Sequence, residues 1–214
     1  MSGENRKDNE IYAMPAAAGA AQTNLTNDPA DDRYPDWAPT GPLAAVEVGQ
    51  ACPATVSTRP LGTRLQFNFR GSTPLSAVDA SGLGLFDTSP HAAPFTAWTS
   101  LWAAGRYAVK CGTGTTTISV PMVAAPAKGT ARTPFKLSWS AIAAPAGFVY
   151  DVQIKSPGAA KFVDWKLGTT AGQATFTVDQ AAPKTGIYSF QARLRKDAGG
   201  AASGYSKPVS ITVR

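Results

Sequence analysis

The chain has 214 residues, with 20 Lys and Arg against 14 Asp and Glu, and its 20 Gly and 17 Pro together make 37 of 214 residues, about 17 %. That share lies below the ~25–30 % of disordered low-complexity chains, and the 43 % of hydrophobic residues can fill one or two packed domains, so disorder throughout is excluded. No stretch approaches the ~18 consecutive apolar residues of a membrane helix, which excludes a helical membrane span.

The net charge of +6 is distributed unevenly along the chain. Residues 1–42 carry 3 basic and 7 acidic side chains, residues 43–127 carry 5 and 3, and residues 128–214 carry 12 and 4. A nucleic-acid-binding protein gathers Lys and Arg into a dense stripe, whereas here they stand singly between apolar residues. The pattern therefore predicts the solvent face of strands and no nucleic-acid partner.

The first 42 residues carry a long motif: Ile-Tyr-Ala-Met at 11–14, Leu-Thr-Asn at 25–27 and Pro-Asp-Trp-Ala-Pro-Thr-Gly at 35–41. This segment resembles a single repeat of the TolB-type, WD-like β-propeller. Such a repeat buries its apolar face only against neighbouring blades, so we expect residues 1–42 to be an acidic, non-autonomous segment. Two interpretations remain open: a decayed gene fusion, or an internal Met1 in a longer exported protein, which would account for the missing signal peptide.

From residue 56 onward, short runs rich in Val, Ile, Thr and aromatic residues recur about every ten residues, separated by Gly, Pro or Asp. No segment has a long 3.6-residue apolar period, and the predicted fold class is all-β, as two consecutive β-sandwiches over 43–120 and 121–214. Apolar and polar residues alternate in 65–69 and 188–194, which predicts one buried and one wet face for each strand. The predicted strands are 64–69, 95–102, 106–110, 115–120, 135–140, 148–154, 162–167, 174–178, 187–194 and 209–213.

The middle region carries a second family pattern: Gly-Thr-Arg-Leu-Gln-Phe at 62–67, Val-Asp-Ala-Ser-Gly at 78–82 and Gly-Arg-Tyr-Ala-Val-Lys-Cys at 105–111. It is similar to the plastocyanin-like (cupredoxin) family, which implies a Greek-key sandwich. In that family the Gly-x-Tyr-x-x-x-Cys strand delivers a thiolate to copper, and two histidines and an axial methionine complete the site. These ligands hold copper between two oxidation states and so allow electron transfer.

The copper-ligand positions that the resemblance implies are changed in this chain. Leu75 lies where the family has its first histidine, and the loop after Cys111 contains neither His nor Met. The only histidine, His91, lies in a connection away from the ligand positions. Leu75 and Cys111 are therefore degenerate copper-ligand positions, and we expect no metal and no cofactor, with copper-dependent electron transfer as the alternative.

Cys52 and Cys111 are the only cysteines. The cupredoxin resemblance places the Cys52 segment at the end of the sandwich that holds Cys111, which implies a disulfide across the vacated copper site. Unpaired buried thiols, and a two-thiolate site for a soft ion such as copper(I), remain alternatives. Modules of this kind are typical of secreted proteins, so we expect an extracytoplasmic location.

The last ninety or so residues place aromatic residues at the positions of a third pattern, with Trp139, Tyr150 and Gly-Ile-Tyr at 186–188. A Tyr that follows a Gly at the start of a late strand is typical of a tyrosine corner. The region resembles a fibronectin type III domain, which implies that these aromatic residues fill its core. Trp165 and Phe162 lie on opposite faces of one predicted strand, and one of them is expected to be exposed as a surface contact.

No catalytic grouping emerges from the sequence. The chain has one histidine and no Gly-x-Ser-x-Gly elbow, which argues against a hydrolase. We predict a non-catalytic protein that serves as a binding, adhesion or scaffold module, with a protein or a cell-surface glycan as partner. Trp98 and Trp102 share one face of a predicted strand and are candidates for a glycan platform, but the pattern favours the core for both.

Overall fold

The structure of this chain is a computed structural model that describes residues 12–13, 23–24, 43–52, 57–71, 73–88 and 90–214. The regular secondary structure of these residues consists of β-strands. The chain divides into two compact units, Met1–Trp37 and Ala38–Arg214. In the first unit, β1 (Tyr12–Ala13) pairs antiparallel with β2 (Thr23–Asn24). The rest of the predicted propeller repeat lies outside the described residues.

The first sandwich consists of two sheets in the second unit. Its strands are β3 Leu43–Val48, β4 Ser57–Thr58, β5 Thr63–Phe69, β6 Ala77–Asp79, β7 Phe95–Leu101, β8 Gly105–Cys111 and β9 Gly114–Val120. In the three-stranded sheet the order is β3-β5-β7, with β3 parallel to β5 and β5 antiparallel to β7. In the four-stranded sheet the order is β4-β9-β8-β6, with β4 parallel to β9 and the other pairs antiparallel.

Alternation along the sequence forms the core of this sandwich. In β5 the apolar residues Leu65, Phe67 and Phe69 are buried, whereas the polar residues between them are half-buried on the outer face. In β8 the side chains of Tyr107, Val109 and Cys111 point into the core. The two-residue period of a strand thus assigns one face of each sheet to the core, as predicted for 65–69.

The second sandwich also has two sheets. Its strands are β10 Val123–Ala125, β11 Lys128–Gly129, β12 Phe135–Ser138, β13 Phe148–Lys155, β14 Val163–Thr169, β15 Gln173–Phe176, β16 Gly186–Lys196 and β17 Val209–Val213. One sheet has the order β10-β12-β15. The other has the order β11-β17-β16-β13-β14, and within it only β11 and β17 pair in parallel.

Aromatic residues fill the second core as the sequence predicts. Trp139, Tyr150 and Tyr188 are buried, and alternate residues of β16 from Tyr188 to Leu194 are buried as well. The Tyr188 hydroxyl donates to the carbonyl of Lys184 at 2.9 Å, four residues upstream, which is the predicted tyrosine corner. The first sandwich has the same device, because the Tyr107 hydroxyl donates to the carbonyl of Ala103 at 2.7 Å.

Backbone hydrogen bonds join the two sandwiches. The amide of Ala104 donates to Trp139 O at 2.7 Å, and the amide of Ala141 donates to Trp102 O at 2.8 Å. Arg106 and Gly204 exchange two further bonds, at 2.8 and 3.0 Å. These bridges belong to loops and strand edges of both sandwiches, so the joint is a direct contact of two backbones.

The all-β fold class and the consecutive sandwiches are confirmed, and each of the ten predicted strands overlaps a strand of the structure. The sequence prediction missed β3, whose Leu-Ala-Ala start has little β propensity, and short strands such as β6. In the described part of the chain, no helix is long and apolar enough to cross a membrane.

Candidate functional site: a closed disulfide end and an open sheet face

A disulfide joins Cys52 and Cys111, whose Cα atoms lie 5.3 Å apart, within the usual range for such bridges. Cys111 is the last residue of β8 and is fully buried, and Cys52 follows a backbone bridge between Ala51 and Gly112. The disulfide therefore lies at one end of the first sandwich, and neither cysteine is a free thiolate.

Two glycines let the β8–β9 turn lie directly on the segment that carries Cys52. Gly112 has φ of +55°, and a Cβ there would lie 2.7 Å from the carbonyl carbon of Gln50. A Cβ at Gly114 would lie 2.8 Å from the amide nitrogen of Cys52. Thr113 donates to Gln50 O through both its amide and its hydroxyl, at 2.7 and 2.9 Å. The close approach and the disulfide together clamp this end of the sandwich.

Leu75 lies at the same end as Cys111. It lines a surface hollow together with Lys110 and Gly112, the two neighbours of Cys111 in the chain. Its backbone exchanges two hydrogen bonds with His91, at 2.9 and 2.7 Å.

The ring of His91 contacts two aromatic rings. It stacks on Phe95 with the ring centroids 3.5 Å apart, and it meets the Phe69 ring edge-on.

These residues do not fit a copper ion. Blue-copper sites need two imidazoles and a thiolate in one plane, whereas here the sulfur of Cys111 is bonded to Cys52 and an aliphatic side chain stands at position 75. Among the described residues, no three His, Cys, Asp or Glu side chains come together as a metal site.

Trp165 and Phe162 are both half-buried. The Trp165 ring meets the rings of Trp139, Phe176 and Phe190 at centroid distances of 5.5 to 6.0 Å, so most of its surface fills the second core. A register shift between β13 and β14 interrupts the alternation on this edge strand. The exposed apolar surface beside Trp165 belongs instead to Val163 and Leu167.

The outer face of the β3-β5-β7 sheet presents an aromatic ring in a polar surface. Trp98, on β7, is 42 % exposed and lies opposite Gln66 of β5. The Arg64 guanidinium lies 4.8 Å from the centroid of the Trp98 ring, a cation–π contact. The expectation that Trp98 fills the core is therefore wrong, because the sheet buries Leu65, Phe67 and Phe69 on its other face.

Trp102 lies at the joint between the two sandwiches. It is half-buried, and its ring packs edge-on against Phe148.

A hydrogen-bonded ladder of polar side chains extends from Trp98 across this face. Gln66 Nε2 donates to Asn68 Oδ1 at 2.7 Å, and Asn68 Nδ2 donates to Glu47 Oε1 at 2.9 Å. Arg70 pairs with the same carboxylate, and its hydrogen bond, supported by that of Asn68, lowers the pKa of Glu47. Gln66, Asn68 and Arg70 line a groove of about 360 Å³ together with Phe95 and Thr96. These hydrogen bonds orient both amide groups.

Two buried polar atoms near Trp98 have no hydrogen-bond partner in the described part of the chain. They are Arg64 Nε and Ser100 Oγ. Arg64 and Ser100 are direct cross-strand partners, so these atoms belong to neighbouring side chains on the outer face. Buried donors are normally satisfied, and unpaired ones of this kind are groups that a ligand or water can satisfy.

Comparisons with known proteins leave the family open. No family model matches the chain, and no curated protein matches it. Among solved structures, the crystal structure of the chicken CNTN1 FN1-FN3 domains is similar, with 12 % identity and a TM-score of 0.32. The match covers 67 % of this chain and 56 % of that chain. The strand pairing alone shows that this chain is an all-β protein built of sandwiches.

Proposed function

We propose that this chain is a non-catalytic, extracytoplasmic binding protein whose ligand is a glycan held on the outer face of the β3-β5-β7 sheet. The exposed Trp98 ring beside an ordered polar ladder carries the proposal. The disulfide supports the location, because such bonds persist in oxidising compartments and are rare in the cytosol.

The proposed domain organisation has three parts. Residues 43–120 are a cupredoxin-like sandwich that has lost its copper ligands, and residues 121–214 are a fibronectin type III-like module. Residues 1–42 derive from one TolB-type propeller repeat. The Gly-x-Tyr corner that leads to Cys111 supports the first assignment, and the Tyr188 corner supports the second.

The chemistry of the outer face suits a sugar better than a flat apolar partner. A pyranose ring has a face of C–H groups that packs on an aromatic ring, and its hydroxyl groups both donate and accept hydrogen bonds at the rim. Trp98 offers the ring, and the amides of Gln66 and Asn68 with the Glu47 carboxylate offer both donors and acceptors. A few placed polar groups around an apolar contact are typical of small-molecule sites.

The substitution Trp98→Ala tests this site. We expect the wild-type protein to bind at least one immobilised oligosaccharide on a glycan array and the variant to bind it at least ~30-fold more weakly, the loss typical of an aromatic hot spot. Ile187→Ala, which removes another exposed apolar side chain from the second sandwich, is the matched control and retains binding. Equal binding by both variants, or capture of a protein with no glycan bound, would contradict the proposed ligand.

Addition of one equivalent of Cu(II) tests the alternative function of electron transfer. We expect no intense blue thiolate absorption from the wild-type protein, because the Cys111 sulfur is bonded to Cys52. The measurement is a visible absorption spectrum of the oxidised protein before and after addition of copper. A strong charge-transfer band near the usual blue-copper region would favour the electron-transfer function.

A further inference from the structure

A crevice lies where the two sandwiches meet, on the side opposite the first core. It has a volume of about 610 Å³, within the range of small-molecule sites. The first sandwich contributes Arg106 and Ser119, and the second contributes Gln191, Tyr205 and Lys207. The crevice therefore exists only because the two sandwiches are joined.

Backbone contacts hold the walls of this crevice in place. Arg106 of β8 and Gly204 of the second sandwich exchange hydrogen bonds at 2.8 and 3.0 Å. A Cβ at Gly204 would lie 3.2 Å from Arg106 Cβ and 3.8 Å from Arg106 Cδ, so the stem of this arginine runs along the glycine. These contacts fix the Arg106 backbone against the second sandwich.

Ser119 is the feature that points to a ligand. The residue is only 1 % exposed and lines the crevice, and its hydroxyl has no hydrogen-bond partner in the described part of the chain. By contrast, the Ser206 hydroxyl in the same crevice accepts from the amide of Ala192 and donates to Lys207 O. A buried hydroxyl without a partner is unfavourable, and such a group calls for an explanation.

The charge in the crevice is positive. Arg106 lies directly opposite Ser119 in the β8–β9 pair, and Lys207 lies on the facing wall. Neither cation forms an ion pair with a described residue, and no carboxylate lines the crevice. The nearby Asp151 is already paired with Arg193 and Arg195, and Arg193 also stacks on the Tyr205 ring at 4.8 Å.

Neutral hydrogen-bonding groups complete the lining. Gln191 donates to Gln153 through Nε2, which leaves its carbonyl oxygen available as an acceptor. Burial raises the pKa of Tyr205, so that its hydroxyl stays protonated and can donate. Two cations beside a serine, an amide and a phenol match a molecule that carries a carboxylate together with several hydroxyl groups.

We propose that this crevice binds a hexuronate unit of an acidic saccharide. Arg106 and Lys207 hold the carboxylate, the Ser119 hydroxyl bonds to the ligand, and Gln191 and Tyr205 meet the sugar hydroxyls. This site is separate from the Trp98 face and does not depend on it. It makes the joint between the sandwiches a second point of recognition.

Calorimetric titration with α-1,4-linked digalacturonate in 150 mM salt tests the proposal. We expect saturable binding by the full chain, with neutral digalactose and propionate each at least tenfold weaker. Arg106→Gln combined with Lys207→Gln lowers the affinity at least tenfold, whereas Arg132→Gln, which removes an exposed cation elsewhere, leaves it unchanged. Ser119→Ala lowers the affinity about fivefold without lowering the melting temperature, a result that a purely structural serine would not give.

Each other outcome overturns the proposal in a recognisable way. Equal affinity for propionate and digalacturonate would show a bare anion site, and equal loss in Arg132→Gln would show diffuse electrostatic attraction. If digalacturonate does not bind at all, the proposed hexuronate site is wrong. Trp98→Ala retains the binding of digalacturonate, so failure of the outer-face proposal and failure of this one are separable.

Discussion

Reduction of the Cys52–Cys111 disulfide is expected to lower the free energy of unfolding by roughly 4 kcal/mol, because it releases a loop with a sequence separation of 59. The loss arises mainly in the unfolded chain, which gains conformational freedom when the cross-link is removed. Urea unfolding of the oxidised and the reduced protein measures it with no change in side-chain volume.

Cys52→Ala combined with Cys111→Ala is the companion variant. Because Cys111 is fully buried, we expect the double variant to be slightly less stable than the reduced wild-type protein. Thiol titration of the unfolded, unreduced wild-type chain is expected to find no reactive thiol. Two thiols in that titration would mean that the cysteines are unpaired and would restore the alternatives of free thiols and a soft-metal site.

The substitution Asp151→Asn is expected to cost about 3 kcal/mol of stability at neutral pH, at the lower end of the range for breaking a buried ion pair. The Asp151 carboxylate is fully buried and accepts hydrogen bonds from Arg193, Arg195 and the amide of Gly168. The side chains of Arg193 and Arg195 are 31 % and 19 % exposed, so water compensates part of the loss of their partner. Asp164→Asn, at an exposed carboxylate, is the control and changes stability by less than ~0.5 kcal/mol.

The effect of Asp151 depends on pH with a defined sign. Burial opposes ionisation, but the hydrogen bonds from Arg195, Gly168 and Arg193 outweigh it and lower the pKa of Asp151 below its ordinary value. The stabilisation is therefore complete above the unfolded pKa of about 3.9 and is lost as the pH falls through the lower folded pKa. Urea unfolding at several pH values is expected to show the gap between wild type and Asp151→Asn closing in acid. A gap of constant size would contradict this assignment.

Local alternation was enough to predict most strands and their buried faces. Leu65, Phe67 and Phe69 repeat with a period of two, and so do Tyr188 and Phe190, which is the property of a strand that the sequence expresses directly. The tyrosine corner at Tyr188 was also readable, because its glycine and tyrosine are close in sequence and the hydrogen bond spans four residues.

The proposed binding surfaces depend on contacts that sequence periodicity does not encode. Periodicity groups Trp98 with its neighbours on one face but does not say which face the second sheet covers. The Asp151 carboxylate contacts Arg193 and Arg195, which lie more than forty residues away in the sequence. The crevice beside Ser119 forms only where the two sandwiches meet. Alternation at the Ile-Ser-Val end of β9 predicts an exposed Ser119, whereas the structure buries it.

The backbone bridges at Ala104, Ala141 and Arg106 also give this chain a mechanical property. Tandem modules commonly swing about their linker, since the contacts between them are small and polar. Here backbone hydrogen bonds cross the joint at three places, so we expect the two sandwiches to keep one relative orientation and to resist separation under load. Under the proposed function, such a rigid pair would present the Trp98 face and the crevice at a fixed distance and angle from each other.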